Sequence, residues 1–273
     1  PIEYAPIAKD DILGTAIFYS GETVTETETV RAVSALPSST EAQTVSETVT
    51  EAMNTVEIRD ITKTPDDIIA LIKKYTELFK NDKKDGEIKS VTYEKSGATH
   101  IFENVRVKNT TATKTLNIEK VLSEPLELSV DKAKPAVLIF HSHTSEGYEM
   151  IEREWYAQNY TARSNDENRN IVRVGTEIAD YLTELGYTVI HDKTIHDKSY
   201  SDSYPNSRKT VAKHLEEHPE IQIVLDIHRD SITQNDGSKI KPLNTIGGKK
   251  AAQLMIIAGA EGYTGAPALA AKA

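Results

Sequence analysis

Two apolar runs that each end abruptly on histidine do most to limit how this chain can fold. The first is Ala136-Val-Leu-Ile-Phe140, followed at once by His141-Ser-His143-Thr-Ser-Glu146. The second is Ile221-Gln-Ile-Val-Leu-Asp-Ile227, followed by His228. Short runs rich in branched aliphatics read as buried strands. Helical patterns separate them. Residues 170–187 carry Ile171, Val174, Ile178, Leu182 and Leu185 on one face and close on Gly186, and Ser207 is placed to cap a helix bearing Val211 and Leu215. Thr188-Val-Ile190 and Leu254-Met-Ile-Ile-Ala258 read as further strands. This alternation predicts an α/β fold with a mostly parallel sheet and helices on both faces. Ligands of such sheets collect at the carboxyl ends of the strands, and His143, Glu146 and His228 fall there. His143 and Glu146 have H-x-x-E spacing, so both can reach one cation from a turn. Two imidazoles, one carboxylate and an open fourth position make the ligand set of a catalytic zinc.

Other polar residues group around this core. His141, Asp226 and Asp230 flank the two histidines and are candidates to orient a metal-bound imidazole through its second nitrogen. Arg229 suits a substrate carboxylate or a tetrahedral oxyanion, or else an ion pair with Asp226 or Asp230. Ser142 and Ser145 give only a weak serine-hydrolase signal, because no G-x-S-x-G elbow surrounds them. The stretch His191-Asp-Lys-Thr-Ile-His-Asp197 follows a strand on the same edge, and His196 reads either as groove lining or as part of a solvated loop. Tyr200, Tyr204, Ser207 and Arg208 read either as a polar-aromatic surface suited to sugars and peptides or as ordinary loop packing. His214 and His218 stand four apart on a helix. Without an H-E-x-x-H pattern they read as a solvated face.

Upstream, residues 20–56 are rich in Thr, Glu, Ser and Val and read either as a solvated linker or as an exposed helix or strand of a small domain. Thr64-Pro-Asp-Asp67 is a helix start, with Thr64 as the N-cap and Ile68, Ile72, Tyr75 and Phe79 at helical spacing behind it. The polar stretch 81–86 reads as the end of that helix. Short β-branched runs at Ser90–Tyr93, His100–Phe102, Val105–Asn109 and Thr115–Ile118 suggest a small sheet. The expected organisation is therefore an N-terminal segment over 1–60, a small mixed α+β region over 61–134, and an α/β domain over 135–273. The chain's 273 residues carry a net charge of -10, which argues against a nucleic-acid partner. It has no cysteine, so any metal must be held by histidine and carboxylate. The chain opens on Pro1, which reads as a trimmed or processed start, and no apolar run is long enough to span a membrane.

With these residues in view, the chain resembles the stage II sporulation protein P family. The resemblance rests on Val105-Arg-Val-Lys-Asn-Thr-Thr111, Val137-Leu-Ile-Phe-His-Ser-His-Thr-Ser-Glu-Gly-Tyr148, Asn170-Ile-Val-Arg-Val-Gly175, His191–Asp197, Ser203-Tyr-Pro-Asn-Ser207, Asp226-Ile-His-Arg-Asp230 and Gly247-Gly-Lys-Lys-Ala-Ala-Gln-Leu-Met255. It implies an amidase-like fold and zinc-dependent hydrolysis of peptidoglycan between the muramyl lactyl group and L-alanine, with an added cross-link endopeptidase activity. It also implies work outside the membrane during forespore engulfment, anchored by an N-terminal span that this chain lacks. The implied partners are stage II sporulation proteins D and M. His143 and His228 match the family's metal histidines, and Glu146 matches the acid of its first motif, as ligand or as catalytic acid/base. Asp166 is the other implied ligand, with Glu167 beside it, because related amidases place a ligand glutamate near the helix starting at Asn170. Related amidases also carry a general-base glutamate on a later strand. Here Ala258–Pro267 stands in its place, which reads as truncation and leaves Glu146 or Glu261 for that role. Two rival readings share the pattern: a zinc carboxypeptidase on short peptides, and a non-catalytic peptidoglycan-binding module.

Overall fold

The computed structural model describes residues 63–93, 98, 100–102, 105–108, 117–123, 130–246 and 248–257. In chain order the elements are α1 (Asp66–Leu78), β1 (Lys84–Val91), β2 (His100–Phe102), β3 (Val105–Val107), α2 (Ile118–Ser123), β4 (Pro135–Phe140), β5 (Trp155–Ala157), α3 (Ile171–Glu184), β6 (Thr188–His191), α4 (Ser203–Glu217), β7 (Ile223–Asp226), β8 (Lys239–Ile246) and β9 (Lys249–Ala252). A 3-10 turn over Tyr200–Asp202 leads into α4. The fold is mixed α/β, and one of its sheets is wholly parallel. Among the described residues no helix is long and apolar enough to cross a membrane.

The parallel sheet has the order β6-β4-β7. β4 is flanked on both sides, so its whole run is apolar and buried from Ala136 to Phe140. Val137 and Ile139 face α3, where Ala179 packs with Ile178 and Leu182. Leu138 points to the other face and is fully buried. Each such aliphatic side chain contributes about 1.5–3 kcal/mol on leaving water, which makes β4 the anchor of the sheet. Register then fixes which residues emerge together. Phe140 pairs with Asp226, and Ile139 with His191. All three strands therefore end level, and their polar continuations meet.

The end of α3 falls where its sequence predicts, and the cap at its start is a structural finding. The Asn170 side chain accepts from the Val172 amide at 3.0 Å, and Gly186 closes the helix at φ 85°. Ile171, Val172, Gly175 and Ala179 form its buried face. Gly175 lies so close to β4 and β6 that an added Cβ would stand 2.6–2.7 Å from the His141 and His191 rings. We expect Gly175→Ala to cost about 1–3 kcal/mol, read as a lower denaturation midpoint at unchanged slope. An unshifted midpoint would contradict this packing.

A second sheet, β5-β1-β8-β9, is antiparallel except where β1 runs parallel to β8. It draws β1 from before Pro135 and the other three strands from after it. β2 and β3 form a separate two-stranded ribbon.

Several expected boundaries shift. Pro65 is the N-cap of α1 and no side chain caps it, so Thr64 lies one residue too early, although Asp66 and Asp67 do occupy the first turn. Tyr75 is the buried residue of α1, whereas Ile72 is 41% exposed. The polar Lys84-Asp-Gly86 begins β1. Ile118 starts α2, while Thr115 lies outside the described residues. α4 starts at Ser203, because Pro205 is tolerated in a first helical turn, and Ser207 sits buried inside the helix bonding Tyr204 O at 3.1 Å. Leu254–Ile257 forms no strand. Pairing ends at β9, which the positive-φ Gly248 folds back onto β8, and Leu254 is 63% exposed. The stretch 20–56, Glu261 and the run from Ala258 lie outside the described residues.

Candidate functional site

The carboxyl ends of β4 and β7 are locked by side chains before any catalytic group appears. The ladder continues through Ile227 N–H to Phe140 O at 3.0 Å. His141 Nδ1 lies 2.6 Å from Ile227 O, and its Nε2 lies 2.9 Å from His191 Nε2. A carbonyl can only accept, so His141 carries its proton on Nδ1, and His191 must donate to the bare Nε2. The Asp226 carboxylate accepts the Ser142 amide at 2.9 Å. His141 and Asp226, expected to orient a metal ligand, instead weld the strand ends together.

This histidine pair predicts a pH response. Burial lowers the pKa of His141, and burial first and then His141 lower that of His191 to about 4. A proton on His141 Nε2 would face the His191 N–H. In unfolded chains both histidines take up protons near pH 6.5, so the unfolded state gains as pH falls. Stability should therefore be full above about pH 6.5 and decline towards pH 4. Melting temperatures of wild type and His191→Gln should diverge least at the acidic end of that window. Parallel curves would contradict the assignment.

The loop after β4 is equally fixed. Glu146 N–H returns to His143 O at 3.0 Å, making a turn. Thr144 Oγ1 lies 2.8 Å from both His141 O and Thr194 O. The buried Asp197 carboxylate takes the Ser145 amide and hydroxyl, and Arg163 pairs with it. His196 is buried too, spanning His141 O at 2.7 Å and Thr210 Oγ1 at 2.9 Å. The second histidine cluster thus supports the loop and does not line a groove.

His143 emerges from this framework only 4% exposed. It stacks on Tyr200 at 5.1 Å and meets Tyr204 edge-on at 5.0 Å, and the His228 ring lies 5.8 Å away, inclined by 65°. Its buried Nδ1 has no hydrogen-bond partner. Glu146 Oε2 is 4.0 Å from His228 Nδ1 and accepts the Arg229 amide at 2.7 Å. Burial raises the Glu146 pKa, against the Arg229 amide and the neighbouring cations. Burial and then His228 lower that of His143, which favours a neutral ring with a lone pair to offer. Two imidazoles on one tetrahedral ion stand about 5 Å apart, centre to centre. The His143 and His228 rings stand a little farther apart than that, and their ligand atoms and those of Glu146 do not all lie within 4.8 Å of one another. Glu146 is the carboxylate at hand.

Other expected residues lie elsewhere. Asp166 accepts the Tyr75 hydroxyl at 2.6 Å and the Asn168 amide at 3.0 Å. The Tyr75 bond lowers its pKa, and burial with the same bond raises that of Tyr75 to about 12. Arg229 donates its side chain to the carbonyls of Gly147, Ala162 and Asp230 at 2.7, 2.8 and 3.1 Å, in place of an ion pair with Asp226 or Asp230. The Asp230 carboxylate accepts the Ser231 amide, and Arg208 is exposed. Arg163 carried no sequence signal, and Tyr75 read only as a position on the apolar face of α1, since their partners are 34 and 91 residues away. Among the described residues, the three-group set of metal-ligand type whose ligand atoms all lie within 4.8 Å of one another is His214, Glu217 and His218.

The fold and site define an α/β protein with a cluster of histidines at the carboxyl edge of a parallel sheet. The chain matches the family of Stage II sporulation protein P over residues 28–270 and belongs to it. Membership carries a role in sporulation, at engulfment, and a general association with peptidoglycan hydrolysis. No curated protein and no solved structure matches the chain.

Proposed function

We propose that this chain is a zinc-dependent N-acetylmuramoyl-L-alanine amidase acting on peptidoglycan. The observation that carries the reading is the buried His143 ring, its Nδ1 unpartnered, facing His228 across the ends of β4 and β7 with Glu146 beside them. His143 and His228 would hold the ion, and Glu146 takes precedence over Asp166 as the nearby carboxylate because Tyr75 already engages Asp166. The strand order supports an amidase-like layout. The chain leaves β4 for β6 on one side and returns to β7 on the other, and the right-handed crossover rule then puts α3 and α4 on opposite faces. The connections leaving β4 and β6 run in opposite directions, so the carboxyl ends of the paired β4 and β7 lie at the kind of switch point where such folds bind ligands.

When bound, zinc would lower the pKa of a water and polarise the scissile carbonyl. Glu146 takes the proton from the attacking water and passes it to the leaving amine. The water oxygen joins the lactyl carbonyl carbon, the C–N bond breaks, and the stem peptide leaves with a neutral amine on its L-alanine. Its burial-raised pKa suits Glu146 to both halves of that transfer. Arg229 is a positioning residue: its amide orients the Glu146 carboxylate and its guanidinium pins Gly147 and Ala162. Tyr200 and Tyr204 flank His143 and offer faces suited to a sugar or peptide. Because peptidoglycan lies outside the membrane, we place the activity there, beside stage II sporulation proteins D and M, with a cross-link endopeptidase activity as the second expected cleavage.

Purified chain with zinc and isolated peptidoglycan should release intact stem peptides and leave muramic acid with a free lactyl carboxyl, and a chelator should stop the release. Release of single C-terminal residues would mean a carboxypeptidase, and pelleting without product a docking module. Either result would reject the proposal.

A further inference from the structure

We propose a second divalent-cation site, separate from the His143–His228 pair, at the C-terminal end of α4, formed by His214, Glu217 and His218. The ligand atoms of these three side chains lie within 4.8 Å of one another. A second observation bears on it independently. His214 Nε2 lies 2.8 Å from Asp192 Oδ2, while His214 Nδ1 is buried and has no hydrogen-bond partner. A carboxylate that holds one imidazole nitrogen as N–H leaves the other as a lone pair, the arrangement by which metal-binding histidines are oriented. The His218 ring lies 6.4 Å from that of His214 and is inclined to it by 23°.

Helical geometry explains the grouping: residues three and four apart share a face, so Glu217 and His218 both stand beside His214. The last turn of a helix also carries the negative end of its dipole, which favours a cation. Lys213 lies 3.8 Å from Glu217 and would have to release it, but such an exposed pair is worth little. Two imidazoles and one carboxylate suit zinc, nickel or copper and disfavour magnesium and calcium. Because Asp192 follows β6, an ion here would tie the end of α4 to the sheet.

Zinc titration of the whole chain, by calorimetry against a competing chelator, tests the site. Wild type should bind two equivalents. His218→Ala and the exposed Glu217→Gln should each weaken one of them about tenfold or more, as should Asp192→Asn, with hydrolytic turnover unchanged. His228→Ala should affect the other equivalent and leave this one. The two readings therefore fail separately: an equivalent lost in His218→Ala and kept in His228→Ala supports this site whatever the His143–His228 pair does. Unchanged zinc affinities in both His218→Ala and Glu217→Gln would overturn it.

Discussion

His228→Ala should lower peptidoglycan turnover by about a thousandfold or more while the protein still folds. The size follows from the role. A bound cation contributes several kcal/mol to stabilising developing charge, and each 1.36 kcal/mol is about tenfold in rate. The tolerance follows from placement. The His228 side chain is 32% exposed and follows β7 outside the buried ladder, so its loss opens no core cavity. His143→Ala should cost as much activity and some stability as well, because that ring is buried between Tyr200 and Tyr204. Product release by His228→Ala at the wild-type rate, with melting temperature unchanged, would end the metal-assisted account.

Glu146→Gln is the second large effect. The amide can still accept the Arg229 N–H through its carbonyl oxygen, so the loop should keep its shape. It cannot take a proton. A loss in kcat of about 10²–10⁴ is expected, with little change in KM. The wild-type rate should also fall on its acid side at a pH above the ordinary carboxylate range, since burial raises the Glu146 pKa and its protonated form is inactive as a base. That limb should vanish in the residual activity of the variant. If zinc affinity falls along with kcat, Glu146 is also a ligand. Wild-type kcat in Glu146→Gln would show that the proton moves through another group.

What the sequence disclosed was set by how local the cause is. The buried run from Ala136 to Phe140 and its sharp polar end declare a central strand and its functional edge, because only a strand flanked on both sides is apolar throughout. Asn170 and Gly186 bracket α3 with capping chemistry that acts within a few residues. β8, by contrast, is half polar and pairs with β1 about 150 residues away, so nothing in its own pattern marks it as a strand. The same distance hid the engagement of Asp166 by Tyr75, which only the meeting of α1 with the loop before α3 creates. Arg229 misled for a different reason. A guanidinium suits carboxylates, yet here the chain bends three carbonyls towards it. His214 and His218 lack the H-E-x-x-H pattern, and the acid grouped with them is Glu217, one residue before the second histidine.

The central claim is that imidazoles from two neighbouring strand ends share one ion that makes water reactive. Anomalous diffraction at the zinc edge, from crystals of the intact chain grown with zinc, addresses it directly. A peak bridging the His143 and His228 rings, with the Glu146 carboxylate alongside, is the predicted result. Density for both rings with no anomalous peak between them would contradict it.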